Sequence, residues 1–290
     1  MSATASTSAR GPARQLLSAA GLLPLARRAA RLSIDLRCAF RRQFRLTIDR
    51  KEVRFRTTDP QSNRFFHRRY RQGELHEPPV TAELTRRARA ANVFADVGAH
   101  IAYYSCIAGA VNDRLQLCLF EMNRELIPVI ERNLAENRLM DAVIVDRPVA
   151  DRRRMVSYAS ASGEPGLSMR DPARRGDGQG ILVETLALDE FFAERGAWPD
   201  LIKIDVEGAE LAVLEGARRI LAQHHPVLFV EVHPGLLGSF DASAEQVYAL
   251  LRTHGYTIQR FAGHRNNGTG LQPVPATAAI PNITHMLLCV

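Results

Sequence analysis

The chain has 290 residues, 46% of them hydrophobic and 24% charged, which excludes a disordered polar chain and allows a sizeable buried core. Thirty-eight Lys and Arg against 31 Asp and Glu leave a formal charge of +7, too diffuse to call for a nucleic-acid partner. No apolar run reaches the roughly 20 residues needed to cross a bilayer, and Pro24 and the arginines after it interrupt "LLSAAGLLPLA", so a non-exported, cytoplasmic protein is expected. Cys38, Cys106, Cys118 and Cys289 lack the spacing of a disulfide framework or zinc site.

Residues 1–45 form a basic segment, amphipathic or disordered. Arg10, Arg14, Arg27, Arg28 and Arg31 lie among leucines, with no acidic residue before Asp35. That composition suits peripheral contact with a membrane surface, packing on the chain's own domain, or a transit peptide. The main domain is expected over residues 46–290, with an extension at 46–90. In it, "FRLTIDRKEVRFRT" alternates around a polar turn and predicts a hairpin. "TDPQSNRFFHRRYRQGELHEP" reads as irregular, and "VTAELTRRARAAN" as a short helix with Leu84 and Ala88 on one side.

From residue 91 a theme repeats. The apolar runs "NVFADVG", "RLQLCLFE", "AVIVDRPVA", "DLIKIDV" and "PVLFVEVH" alternate with helical segments, as a parallel sheet covered on both faces requires. The fold class is therefore α/β. Asn123 is placed to cap a helix carrying Leu126, Ile130 and Leu134 on one face. A second helix carries Leu211, Leu214, Ala217 and Leu221. Ser243 and Gln246 fit a capping box, with Gly255 stopping that helix. "YTIQRFAG" and "ITHMLLCV" read as closing strands. The Gly-, Ser- and Pro-rich segment 158–180 suits a lid or acceptor wall, or disorder.

Open α/β sheets bind ligands at the carboxyl ends of their strands. There the sequence places Asp96 and Gly98 after the first run, Glu121 after the second, and Asp205, Glu207 and Gly208 after the fourth. The Gly-x-Gly-x-x-Gly phosphate clamp is missing. Two acids at successive strand tips, flanking a glycine turn, suit a nucleoside-bearing ligand without a pyrophosphate.

The blocks "FADVGAHIAYYS", "FEMNRELIPVIERNLAEN" and "LIKIDVEGAELAVLEGA" resemble the signature blocks of the FkbM family of S-adenosylmethionine-dependent methyltransferases, and "NITHMLLCV" resembles its last strand. The resemblance implies a Rossmann-like class I methyltransferase fold: a seven-stranded sheet, parallel except for one strand, with helices on both faces. It implies S-adenosylmethionine as cofactor and O-methylation of a hydroxyl on a sugar, glycan or secondary metabolite. The family usually reads Asp-Val-Gly-Ala-Asn-Ile-Gly in the first block, where His100 and Ala102 here replace the Asn and the second Gly.

On this reading Asp96 and the backbone of Gly98, Ala99 and His100 serve the methionine end of the cofactor, and Glu121 serves its ribose. Met122 lies against the adenine face, with Ala150 and Asp151 near the adenine edge. Asp205, Glu207 and His233 are the candidate catalytic residues for orienting the acceptor hydroxyl or taking its proton. With Glu231 they form an alternative divalent-ion set that no compact metal signature supports. Two other functions fit parts of the pattern: a nicotinamide-dependent oxidoreductase, and a non-catalytic membrane-surface module with a degenerate cofactor fold.

Overall fold

Alternating apolar residues fold the start of the described chain into an antiparallel hairpin, β1 (Gln43–Ile48) and β2 (Lys51–Arg56). Phe44, Leu46, Val53 and Phe55 are buried on one face. Asp49 and Arg50 turn it with left-handed backbone, φ 48° and 64°, the geometry of a two-residue hairpin loop. The structure, a computed structural model, describes residues 41–158, 169–170, 181–263, 265 and 270–290. The basic segment expected over 1–45 therefore lies almost wholly outside the described residues, as does most of the expected lid at 158–180.

The stretch expected to be irregular contains a helix, α1 (Pro60–His67). Asp59 caps it by accepting the Ser62 N–H at 2.7 Å, and Pro60 supplies a first-turn residue whose missing N–H goes unneeded. Its apolar side is short: Phe66 stacks on Phe44 at 4.4 Å, and the surrounding arginines hide that face from a periodicity reading. The expected short helix follows as α2 (Pro78–Ala88), with Leu84 and Ala88 buried.

The repeat then unfolds as β3 (Val93–Val97), α3 (Tyr103–Val111), β4 (Gln116–Phe120), α4 (Ile127–Glu136) and β5 (Val143–Val145). A small antiparallel sheet of β6 (Met155–Tyr158), β7 (Met169–Arg170) and β8 (Ile181–Glu184) interrupts it. The repeat resumes with α5 (Leu188–Arg195), β9 (Leu201–Ile204), α6 (Glu210–Glu215), α7 (Arg218–Gln223) and β10 (Val227–Val232). It closes with α8 (Pro234–Leu237), α9 (Ala244–Thr253), β11 (Ile258–Phe261), β12 (Leu271–Pro273) and β13 (His285–Cys289).

Among the described residues the main sheet runs β12-β11-β13-β10-β9-β3-β4-β5. β13 lies antiparallel between β10 and β11, whereas β10, β9, β3, β4 and β5 pair in parallel. The seven expected strands, with one reversed, are thus joined by a short antiparallel edge strand, β12. The period of two splits the core: Phe94, Leu117, Leu119, Leu201 and Phe229 pack with α2, α3, α4 and the hairpin. Ala95, Val97, Ile202, Ile204 and Val230 pack with α5, α6, α7 and α9 on the other face.

Two expected helices differ in detail. Asn123 does not cap α4; its Oδ1 accepts the Glu125 N–H at 3.1 Å in a preceding turn, and α4 starts after Leu126 without a side-chain cap. The helix carrying Leu211 and Leu221 is broken into α6 and α7 at Gly216, where a Cβ would stand 2.0 Å from the Ala150 carbonyl oxygen. The Ser243–Gln246 capping box forms, and Gly255 follows α9 at φ 83°. Among the described residues no helix is long and apolar enough to cross a membrane.

Candidate active site

Strand order reverses between β3 and β9, the place where ligands of such sheets bind. The two strand tips are packed backbone to backbone. Gly98 sits at φ 80°, and a Cβ there would lie 1.9 Å from the Asp205 carbonyl oxygen. The glycine is therefore required by the neighbouring strand tip as well as by the turn. On its other side the Gly98 N–H donates to the Phe120 carbonyl at 2.9 Å, and that of Ala99 at 3.1 Å. His100 and Ala102 continue the loop in left-handed backbone, φ 52° and 63°, a region that suits the Asn and Gly of the resembled block. His100 is turned toward Phe65, ring centroids 5.5 Å apart. Burial pulls its pKa down to about 4, so the ring is neutral at physiological pH.

Glu121 stands at the adjacent tip. Its Oε2 accepts the His100 N–H and its Oε1 the Asn123 N–H, both at 2.8 Å. Burial pushes its carboxyl up to about 7 against those two donors. Asp96 is inside the strand rather than at its tip. Ser105 Oγ donates to its Oδ2 at 2.6 Å, and its buried Oδ1 has no hydrogen-bond partner among the described residues. Burial raises its pKa, opposed by Lys203, which lies opposite it in the β3–β9 register. Lys203 is buried. Its ammonium reaches Asp205 Oδ2 at 3.1 Å and lies 4.9 Å from the centre of the Tyr104 ring.

Around Asp205 the structure gathers more acids than the sequence suggested. Glu231, in β10, binds Arg265 through Oε1 at 2.6 Å. Glu77, at the start of α2, accepts the Tyr104 hydroxyl at 2.7 Å. His233 follows β10, its Nδ1 2.7 Å from Glu210 Oε1 and its Nε2 3.9 Å from Asp205 Oδ1. The same Glu210 oxygen accepts the Gly208 N–H at 2.9 Å. Burial lowers the His233 pKa, but the bond to Glu210 and the charges of Asp205, Glu210 and Glu231 outweigh it, and the net shift is upward. Glu207 sits at φ 49°, a strained backbone for a non-glycine residue. Burial and the Asp205 charge raise its pKa.

The structure thus joins Asp96, Gly98, Ala99, His100, Glu121, Asp205, Glu207 and His233 around the β9–β3–β4 tips. Met122 instead packs against Val156 and Val183 of the small sheet. Ala150 is buried, with its carbonyl against Gly216. Asp151 pairs with Arg154 at 3.1 Å. Glu210 was visible in the sequence, three residues after Glu207 in the same block, but its partner lies on another strand. Glu77 and Arg265 carry no sequence signal, because their places depend on how the extension and the turn after β11 pack.

The sequence profile of the methyltransferase FkbM domain matches residues 96–258, more than half of the chain. No curated protein matches. Among solved structures, methyltransferase FkbM from Methylobacillus flagellatus KT is 17% identical with a TM-score of 0.44, over 69% of this chain and 43% of that one. This chain therefore spans less than half of that protein's length. An O-methyltransferase from Bacillus cereus in complex with SAH is 13% identical (TM-score 0.41; 73% of this chain, 81% of that one). A SAM-dependent methyltransferase from Agrobacterium tumefaciens is 12% identical (TM-score 0.45; 87% and 70%).

Proposed function

This chain belongs to the FkbM family of methyltransferases; on that premise we propose that it uses S-adenosylmethionine as cofactor and methylates a hydroxyl of a small-molecule or glycan acceptor at the β9–β3–β4 crevice. Family membership favours methyl transfer over the nicotinamide-dependent alternative. The residues fit the cofactor. The orphaned Asp96 Oδ1 is a buried acceptor without a donor among the described residues, suited to an ammonium, and Glu121 is an acceptor for a ribose diol. The His100 and Asn123 amides fix its carboxylate. When bound, S-adenosylmethionine supplies an electrophilic methyl group on a sulfonium.

The observation that carries the hydroxyl reading is Glu207. A neutral hydroxyl must lose its proton as the new O–C bond forms, so a base within reach of the acceptor is needed. Glu207 feels the charges of Asp205, Glu231 and His233, and burial beside the Asp205 charge makes it more basic than an ordinary carboxylate. Asp205 is tied to Lys203 and suits orientation of the acceptor. His233, held by Glu210, completes the acceptor wall. The test is transfer of labelled methyl from S-adenosylmethionine to glycan and polyol extracts by the full chain. Base-stable label recovered on oxygen after product analysis, as expected of a methyl ether, supports the reading; base-labile ester label, or label recovered on nitrogen, overturns it.

A further inference from the structure

The ring of Asp205, Glu231 and His233 holds more than acceptor-orienting groups. Each contributes one atom, a carboxylate oxygen or a ring nitrogen, and these atoms all lie within 4.8 Å of one another. We infer that these three side chains bind a divalent transition ion such as Mn2+ beside the acceptor position.

The histidine is the telling member. It is 7% exposed, and its Nδ1 is engaged by Glu210, a carboxylate with no exposed surface. With a carboxylate accepting at Nδ1, that nitrogen carries hydrogen, and in the neutral ring Nε2 presents its lone pair on the side of Asp205 Oδ1, 3.9 Å away. No hydrogen bond among the described residues engages Nε2. Metal-binding histidines usually have this arrangement, the outer nitrogen tied to a carboxylate that fixes the ring.

The two acids are oriented in the same way. Lys203 holds Asp205 by Oδ2, leaving Oδ1 toward the histidine, and Arg265 holds Glu231 by Oε1. All three side chains are thus set in place by groups behind them, as a preformed site requires. Charge favours the same conclusion. Asp96, Asp205, Glu231 and Glu77 all act on Lys203, and Glu207 feels the charges of Asp205 and Glu231. The permanent cations among these groups are Lys203 and Arg265. One imidazole with two carboxylates suits a first-row divalent ion and leaves coordination positions open. Asp205, 31% exposed, is the side from which an acceptor oxygen would reach it.

The ion's task rests on the hydroxyl reading above: it would hold the acceptor hydroxyl and lower its pKa, the proton passing to Glu207 as the methyl group moves to oxygen and a neutral thioether leaves. Its existence does not rest on that reading. Full-length protein, stripped with chelator and desalted, is titrated with MnCl2 and the free-ion EPR signal is followed. One saturable Mn2+ per chain is expected. Glu210→Gln should weaken it about 10- to 100-fold, and His233→Gln and Asp205→Asn should each weaken it further. Calorimetry with S-adenosylhomocysteine reports whether each variant is folded; if His233→Gln is not, the more exposed Asp205→Asn decides. Absence of a saturable site, or Mn2+ binding unchanged in a folded His233→Gln or Asp205→Asn, overturns the proposal. Bound Mn2+ with label found only on amines or esters upholds the ion and sinks the hydroxyl reading instead.

Discussion

Gly98→Ala tests the closest approach in the site. The new methyl would lie 1.9 Å from the Asp205 carbonyl oxygen and 2.9 Å from its carbon, and both are backbone atoms. A tolerable C···O contact is about 3.3 Å, so the two strand tips must part by roughly 1 Å or more. Neither can retreat freely: the Gly98 N–H is tied to Phe120 and the Asp205 N–H to Val97, both at 2.9 Å. Left-handed backbone adds about 1–2 kcal/mol for an L-residue, and overpacking about 1–3 kcal/mol. The expected loss is about 2–5 kcal/mol, roughly a 10 °C fall in Tm for a domain of this size. Gly196→Ala separates the two terms, because Gly196 has φ 65° with nothing within 4 Å of a Cβ. It should lose about 1–2 kcal/mol. Urea denaturation of both variants, with S-adenosylhomocysteine affinity by calorimetry, reads the difference. If Gly98→Ala is no less stable than Gly196→Ala and keeps its affinity, the packed strand tips are not as described.

Glu121 gives a pH dependence. Burial holds its native pKa at about 7 against an ordinary value of 4.5, so stability from this group is present below about 4.5 and is lost as pH rises through 7, by about 3 kcal/mol at most. The Tm of Glu121→Gln relative to the parent should therefore rise between pH 4.5 and 8, and a flat difference refutes the shift. The same variant should bind S-adenosylhomocysteine about 10- to 100-fold more weakly, the worth of one hydrogen bond to a charged group. Glu207→Gln should lower kcat by about 10²- to 10⁴-fold with cofactor affinity kept; unchanged turnover removes it as the base. Gly216→Ala, whose methyl would stand 2.0 Å from the Ala150 oxygen, should destabilise the fold by about 3 kcal/mol in urea denaturation, and a neutral result would show that the break between α6 and α7 is not enforced by that contact.

Much of this protein is written locally. Uninterrupted apolar runs and helical stripes determined β3, β4, β9 and β10 and most of the helices between them, because burial on two faces imposes the first and burial on one face the second, residue by residue. The acids at or near the strand ends were legible in the same way, as charged residues that close apolar runs, although Asp96 and Glu121 stay buried. Helix α1 was missed because its apolar face is short and set among arginines, although Asp59 and Pro60 marked its start. Only the tertiary structure decided which of these groups meet. Glu210 reaches His233 across 23 positions and Arg265 reaches Glu231 across 34, and Lys203 faces Asp96 through strand register. Such pairs follow from strand order and alignment, which shift every side chain together when they change; no local repeat along the chain encodes them.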